Sequence, residues 1–235
     1  MRTSIGFREL PIAIVAATVL LAKVANAQQH NVPSAHHAFS DVAQQVKWLE
    51  DPERDKWQKP DEVVAALGLK PGETIVDIGA GSGYFTRRFA KAVAPDGKAI
   101  GLDIEPGLVD YMNSQAKKLG LANYEARVVK PDDPGLAPHS SDVIFMCDAY
   151  HHIENHVEYL KRLTPALKQG GVIVLVDFKK EKLPVGPPPE HKVARQQAID
   201  EFSRAGYRLD KEEKFLPYQY MLWFVPAGAT ADMRS

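Results

Sequence analysis

The sequence comprises 235 residues, with 29 lysines and arginines against 30 aspartates and glutamates, so that its formal net charge is −1. This length suffices for one α/β domain with a sizeable core and is short for two full domains. The near balance of charge argues against a nucleic-acid groove or an anionic membrane surface as the main partner and favours a small or neutral one. Cys147 is the single cysteine, so no intramolecular disulfide can form and the fold depends on its core.

The first 27 residues have the pattern of an export signal. Arg2 and Arg8 form a basic start, and residues 11–22 are an unbroken apolar run. Residues 25–27, Ala-Asn-Ala, match the small-x-small cleavage pattern, so we expect cleavage after Ala27 and a periplasmic or secreted product. The apolar run is shorter than the roughly 20 residues that span a bilayer, and no stable membrane insertion is expected after cleavage. The alternative is a cytosolic protein with an apolar N-terminal helix.

The segment after the signal is predicted to be a partly helical arm. Val42, Val46 and Leu49 recur in it at helical spacing. Trp57 is either part of a lid over a ligand or an anchor that packs the arm onto the folded domain. In that domain Asp61 is the expected N-cap of the first helix. The predicted divisions are signal peptide, arm, folded domain and disordered tail, over residues 1–27, 28–60, 61–226 and 227–235.

Apolar runs typical of strands alternate with stretches of helical pattern through most of the folded domain. Such alternation implies a parallel sheet with right-handed crossovers and helices on both faces. The last two strands are separated by only three residues, which forces an antiparallel hairpin. The predicted fold is a doubly wound, mostly parallel α/β sheet of seven strands with a C-terminal antiparallel hairpin. The predicted strands are 74–78, 99–103, 124–129, 142–147, 171–178, 207–214 and 218–225, with a turn at 168–170.

The first predicted strand ends in a glycine-rich sequence, VDIGAGSGYF, in which Gly79, Gly81 and Gly83 precede a helix. Glycines permit a tight turn and let a ligand lie against bare backbone at a helix N-terminus. Their G-x-G-x-G spacing differs from the G-x-G-x-x-G of dinucleotide sites, which disfavours a nicotinamide-dependent oxidoreductase. Asp77 stands two residues before Gly79, and Asp103 follows Gly83 by 20 residues. From the end of the second strand, a carboxylate can accept both hydroxyls of a ribose.

With these residues, the stretch 59–225 resembles the class I S-adenosylmethionine-dependent methyltransferases of the broad small-molecule type. The matching segments are VDIGAGSG, GLDIEP, PDDPGL, DVIFMCDAYHHI and LKQGGVIVLVDF. The resemblance implies S-adenosylmethionine as the cofactor and a small molecule as the methyl acceptor. It also implies that the glycine-rich sequence contacts the methionyl part of the cofactor.

The remaining cofactor contacts are likewise implied by the resemblance. Asp103 would bind the ribose, Ile104 one face of the adenine, and Asp132 the adenine amino group. Lys130 and Pro131 stand where the family usually has a glycine-aspartate pair, so Asp133 is the alternative to Asp132. The predicted cofactor-binding residues are Asp77, Gly79, Ala80, Gly81, Gly83, Asp103, Ile104, Asp132 and Asp148.

The segment after the fourth strand is predicted to face the methyl acceptor, because ligands of such sheets bind outside the carboxyl ends of the strands. Methyl transfer is an in-line displacement, for which the protein holds the nucleophile and, for a hydroxyl or protonated amine, accepts a proton. Tyr150, His151 and His152 are the predicted catalytic residues. The alternative for the histidine pair is a helix-start or packing feature. Cys147 is expected to be a buried apolar residue rather than a nucleophile.

Eight histidines raise the question of a metal site. No pair has the spacing of a zinc signature and cysteine ligands are missing, so no metal is expected. The proline-rich residues 184–189 either wall the acceptor pocket or only connect elements. Three functions stay open: methylation of a small molecule, methylation of a protein or envelope component, and nucleoside binding by an exported protein without catalysis. Export is in tension with S-adenosylmethionine, which is a cytosolic metabolite.

Overall fold

The computed structural model of the protein describes Met1 and residues 42–228, and residues 42–228 belong to one compact unit. Apart from Met1, the predicted signal peptide lies outside the described residues, as do residues 28–41 of the arm and 229–235 of the tail. Export and cleavage after Ala27 therefore stay predictions. Within residues 42–228 no helix is long and apolar enough to cross a membrane.

Seven strands form one sheet at the centre of the described structure. They are β1 (Thr74–Ile78), β2 (Lys98–Asp103), β3 (Tyr124–Val128), β4 (Ser141–Cys147), β5 (Leu167–Phe178), β6 (Tyr207–Glu213) and β7 (Gln219–Pro226). Their spatial order is β3-β2-β1-β4-β5-β7-β6. Strands β1 to β5 pair in parallel, and β7 is antiparallel to both β5 and β6. The predicted fold class is confirmed, and the switch point at which such sheets bind ligands lies between β1 and β4.

Helices cover both faces of the sheet. They are α1 (Val42–Leu49), α2 (Arg54–Gln58), α3 (Pro60–Leu67), α4 (Thr86–Ala92), α5 (Pro106–Lys118), α6 (His156–Leu163) and α7 (Arg195–Arg204). Successive strand residues point to opposite faces, so Ile75 packs in a core with residues of α3, α4 and α5, while Val76 packs in a second core with residues of α6 and α7. Since both faces are buried, the functional side chains collect where the strands end.

Two local expectations were wrong. Helix α3 begins at Pro60, so Asp61 lies in its first turn and Lys59 is the N-cap residue. Proline is well suited to the first helical position, where its missing N–H would have no partner in any case. Strand β5 begins at Leu167 and includes the residues predicted as a turn at 168–170. Its pairing with β4 shifts register between Ser141 and Val143. This irregularity accommodates Gly170, which has a positive φ, within the strand.

Candidate active site

The glycine loop, residues 79–83, is held tightly at the switch point. The Gly79 and Ala80 N–H groups both donate to the Leu102 carbonyl at the end of β2, at 2.8 and 3.0 Å. Gly79, Gly81 and Gly83 all have positive φ, at 69°, 59° and 75°. A Cβ on Gly79 would lie 2.5 Å from the Cβ of Ala149, in the segment that follows β4. Only glycine permits both this conformation and this approach, so the loop leaves bare backbone between β2 and β4.

Asp103 is tied to the glycine loop by its own carboxylate. Its Oδ2 accepts a hydrogen bond from the Gly81 N–H at 2.8 Å, and its Oδ1 accepts one from the Glu105 N–H at 3.0 Å. Burial raises the pKa of Asp103, and these backbone donors oppose the rise. A carboxylate has about four lone-pair sites, so each oxygen can still accept a hydroxyl. This geometry suits the ribose contact predicted for Asp103.

Apolar side chains are exposed beside Asp103, at the ends of two neighbouring strands. Ile104 is 46% exposed and Val128 is 51% exposed. Next to them, a cavity of about 240 Å³ is lined by residues that include Val128, Val129 and Asp133. Of the two aspartates considered for the adenine amino group, Asp133 lines this cavity and Asp132 does not. A planar aromatic ligand fits between exposed apolar side chains of this kind.

Asp77 lies beneath the loop and is nearly fully buried. Its Oδ2 accepts a hydrogen bond from Thr86 Oγ1 at 2.6 Å, which ties β1 to the first residue of α4. Burial raises the pKa of Asp77 to about 7, against the Thr86 hydrogen bond and the positive charge of Arg54. The Arg54 guanidinium stacks over the Tyr84 ring at 4.1 Å from its centroid. Arg54 is thus close enough to the buried Asp77 carboxyl group for its positive charge to act on the pKa of that group.

The arm residues pack directly on the site. Leu49 of α1 lies over the bare backbone of Gly81, with its Cδ1 3.1 Å from where a Cβ would be. Trp57 of α2 packs between Phe178 and Tyr218, with ring centroids 5.7 and 6.5 Å away. Of the two roles considered for Trp57, the structure therefore shows the anchor, packed against Phe178 and Tyr218. The cover over the glycine loop comes from Leu49 instead.

Asp148 is held by a chain of buried amides that sequence reasoning missed. Gln219 Nε2 donates to Asp148 Oδ1 at 2.6 Å, and Gln58 Nε2 donates to Gln219 Oε1 at 2.7 Å. Asp148 has φ 56°, a conformation uncommon outside glycine, and its N–H donates to the Val176 carbonyl. Burial and, secondly, the charge of Asp177 raise the pKa of Asp148 to about 7. The arm, β7 and the end of β4 therefore meet at one carboxyl group.

His151 forms a close pair with Asp177, a residue of β5 that the sequence analysis did not single out. His151 Nδ1 lies 2.8 Å from Asp177 Oδ1, and the His151 N–H also donates to Asp177 Oδ2 at 3.2 Å. Burial lowers the pKa of His151, but the hydrogen bond and charge of Asp177 raise it more, and the net shift is upward. The signal that could have found Asp177 is its place next to the end of β5, the parallel neighbour of β4.

The other two predicted catalytic residues are placed differently. Tyr150 is fully buried in the core beneath α6 and α7, and its hydroxyl donates to Glu201 Oε2 at 2.7 Å. The expectation that Tyr150 faces the acceptor is therefore corrected, because the short 3-10 turn after β4 points its ring into the core. His152 is exposed, and desolvation together with the adjacent His151 lowers its pKa to about 4. Its ring centroid lies 4.1 Å from that of His151.

A second cavity, of about 370 Å³, lies at the ends of β5 and β6 and the start of β7. Its lining includes Lys179, Lys180 and Lys214, together with Gln219. The two glutamates of the lining, at 212 and 213, are already paired with arginine and lysine side chains. The cavity is therefore electropositive, and its Gln219 wall is the residue that binds Asp148.

The donor sets fit a nucleoside cofactor better than a metal. Ser82 Oγ, in the glycine loop, is buried and has no hydrogen-bond partner among the described residues. A polar ligand that binds against the glycine backbone would supply the hydrogen-bond partner that Ser82 Oγ lacks. Among residues 42–228, no group of three or more histidine, cysteine, aspartate or glutamate side chains could hold a metal ion.

Comparisons with known proteins agree with this geometry. The methyltransferase domain family matches residues 69–213. Demethylmenaquinone methyltransferase of Bacillus cytotoxicus is 25% identical over 121 residues, 52% of this chain and 50% of that protein. Protein-L-isoaspartate O-methyltransferase of Aeropyrum pernix is 30% identical over 169 residues, 67% of this chain and 60% of that protein. This chain spans about half the length of the first curated relatives it matches.

A solved structure is similar over more of the chain. The SAM dependent methyltransferase from Aquifex aeolicus has a TM-score of 0.74 and 28% identity, with 78% of this chain and 97% of that chain covered. The similarity therefore includes nearly the whole of that protein.

Proposed function

Because this chain belongs to the methyltransferase domain family, we propose that it transfers a methyl group from S-adenosylmethionine to a small-molecule acceptor. The observation that carries the proposal is the direct hydrogen bond between Asp103 and the Gly81 N–H. It joins the expected ribose acceptor to the bare glycine backbone in a single rigid unit. The His151–Asp177 pair stands at the next strand ends, where the acceptor would lie.

On the cofactor side, the described residues divide by chemistry. Asp103 accepts the ribose hydroxyls, while Ile104 and Val128 offer apolar contact to the adenine. Arg54 supplies positive charge for the carboxylate of the methionyl part of the cofactor. The buried carboxyl groups of Asp77 and Asp148 suit the ammonium group of the same part. When bound, the cofactor supplies an electrophilic methyl group on a sulfonium.

On the acceptor side, His151 is the group that takes up a proton. Asp177 holds Nδ1–H of His151, which leaves Nε2 as the basic nitrogen. His151 Nε2 would take up the proton that the acceptor oxygen or nitrogen gives up when it is methylated. The buried Asp177 then stabilises the imidazolium, as carboxylates do beside catalytic histidines.

The acceptor class is suggested by the lysine-lined cavity. Lys179 donates to the carbonyls of Leu216 and Pro217, and the charge of Lys214 helps to lower the pKa of Glu212. The lining carries four basic side chains against two acidic ones, and this excess of positive charge favours a carboxylate or phosphate on the acceptor. We infer an anionic small molecule whose charged end occupies this cavity and whose nucleophile reaches toward His151.

The test begins with calorimetry of the purified protein with S-adenosylmethionine and S-adenosylhomocysteine. A screen with methyl-labelled cofactor then compares carboxylated and phosphorylated phenols, their neutral counterparts, and an isoaspartyl peptide, since the relative from Aeropyrum pernix is named for that acceptor. Methylation of the anionic small molecules supports the proposal. Methylation of the peptide alone favours the protein methyltransferase, and cofactor binding without any methylation favours the binding protein.

The proposal extends to an exported enzyme. It is supported by the basic start, the apolar run and the small residues at 25–27. N-terminal sequencing of protein from the exported fraction is expected to begin at Gln28. An intact Met1 on protein found only in the cytosol would contradict the proposal of export.

A further inference from the structure

Helix α1 contacts both the glycine loop and the first turn of α5. A Cβ built on Gly107, in the first turn of α5, would lie 2.5 Å from Val42 Cγ2, and one on Gly81 would lie 3.1 Å from Leu49 Cδ1. Val42 and Leu49 are two helical turns apart and therefore lie on the same face of α1. One end of this face reaches the start of α5, just after Asp103 and Glu105, and the other reaches the glycine loop.

Gln45 lies on that same face, about one turn from each of the two contacts. Its Nε2 is buried and has no hydrogen-bond partner among the described residues. A buried donor left unsatisfied costs on the order of 1–3 kcal/mol, so an amide at this position is unfavourable unless something else accepts its hydrogen bond. Gln45 therefore lies on α1 between the contact with Gly107 and the contact with Gly81, the glycine whose N–H donates to Asp103.

We propose that Gln45 is a cofactor-binding residue, whose Nε2 donates a hydrogen bond to a ribose oxygen beside Asp103. This inference rests on the proposed function. A ribose hydroxyl both donates and accepts, so Asp103 takes its hydrogen while the Gln45 amide donates to its oxygen. Asp103 and Gln45 would thus bind the ribose together, Asp103 as the hydrogen-bond acceptor and Gln45 as the donor.

Hydrogen bonds hold the C-terminal end of α1 in place, which fixes the position of Gln45. Arg87 Nη1 and Nη2 donate to the two carboxylate oxygens of Glu50, at 2.8 and 2.5 Å. Arg54 Nη1 donates to the Leu49 carbonyl at 3.1 Å. A two-pronged arginine–carboxylate pair fixes orientation as well as distance. Helix α1 is thus a positioned cover over the ribose rather than a loose arm.

The experiment compares the wild-type chain with Gln45→Met, which keeps the side-chain volume and removes the donor. Calorimetry with S-adenosylhomocysteine is expected to show binding about three- to tenfold weaker, the range for one neutral hydrogen bond. The same loss is expected with methylthioadenosine, which has the ribose and lacks the amino acid. The matched control is Gln44→Met, at an exposed position one residue away, with affinity unchanged.

Two further readouts separate binding from a packing role. S-adenosylhomocysteine is expected to slow amide hydrogen exchange in residues 42–49 of the wild type and to slow it less in Gln45→Met. Without ligand, Gln45→Met is expected to melt no lower than the wild type, since it removes a buried unpaired amide.

Equal affinities and equal exchange in the two proteins would overturn the inference and leave the proposed function intact. A loss seen with S-adenosylhomocysteine but not with methylthioadenosine would overturn the ribose contact. If the wild type binds neither compound at millimolar concentration, the proposed function fails, and this inference fails with it.

Discussion

The cofactor side and the acceptor side of the site are built in different ways. On the cofactor side, the glycine loop, Asp77 and Asp103 come from one strand-helix-strand unit, and the hydrogen bond from Gly81 to Asp103 spans 22 positions in sequence. On the acceptor side, Gln219 of the lysine-lined cavity binds Asp148, 71 positions away, and is itself bound by Gln58, 161 positions away. The glycine loop and Asp103 are joined by a contact that is local in sequence, whereas the amide chain at Asp148 forms only when α2, β4 and β7 come together.

The largest expected effect breaks the cofactor side alone. Gly81→Val places a branched side chain at φ 59° against Leu49, a conformation that L-residues rarely adopt, so binding of S-adenosylhomocysteine is expected to be undetectable by calorimetry. The matched control is Gly120→Val, at φ 66° with open space around its Cβ position. It carries the same backbone strain away from the site. If the control loses binding equally, strain rather than contact with the ligand explains the result.

The next effect breaks the acceptor side and leaves the cofactor side intact. His151→Ala is expected to lower turnover by about 10²- to 10⁴-fold, the usual contribution of a positioned proton acceptor, with cofactor affinity nearly unchanged. Because the pKa of His151 is raised, its neutral form is depleted in acid, and the wild-type rate should increase as pH rises through a value above 6.5. Asp177→Asn removes the charge that raises this pKa and should move that inflection to lower pH.

His152→Ala is the neighbouring comparison for His151. If His152→Ala lowers turnover as much as His151→Ala does, the assignment of the proton to His151 is wrong. Loss of cofactor affinity in both variants would show that the two sides are not separate.

A smaller effect sharpens the comparison at the ribose. Asp103→Ala is expected to weaken S-adenosylhomocysteine binding by about 1.5–3 kcal/mol, the range for hydrogen bonds to a charged group. Calorimetry and a thermal melt measure affinity and folding, because the variant also leaves the Gly81 N–H without its acceptor. Unchanged affinity in a folded variant would move the ribose contact to another residue, with Glu105 the next candidate.

The smallest effect concerns the point where the two sides meet. Asp77 and Asp148 have pKa values of about 7, so each is partly protonated at neutral pH in the free protein. A cationic ammonium favours the ionised carboxylates, so S-adenosylhomocysteine should bind several-fold more tightly at pH 8 than at pH 6 and release protons on binding. Methylthioadenosine, which lacks the ammonium, should show neither trend. Calorimetry in buffers of different ionisation enthalpy measures the protons released.

The same division explains what the sequence could predict. The glycine loop, Asp103 and Ile104 were predicted because one contiguous motif carries both the strand ends and the conformational demand for glycine. Asp177 and Gln219 were missed because only the order β4-β5-β7 brings them beside Asp148 and His151. Tyr150 was assigned to the acceptor because it follows β4 in sequence, but side-chain direction in a 3-10 turn is not visible in a residue pattern.

The antiparallel direction of β7 has a consequence for the order in which the site can form. Since β7 runs opposite to β5, its first residue, Gln219, lies at the edge where the parallel strands finish. Gln58 of α2 donates a hydrogen bond to Gln219 there. This contact of the early chain can therefore form only after β7, the last of the seven strands, has been synthesised. Closing so long a loop is entropically costly and slow. The contact between Gln58 and Gln219, and with it the full support of Asp148, is therefore among the last parts of the site to form.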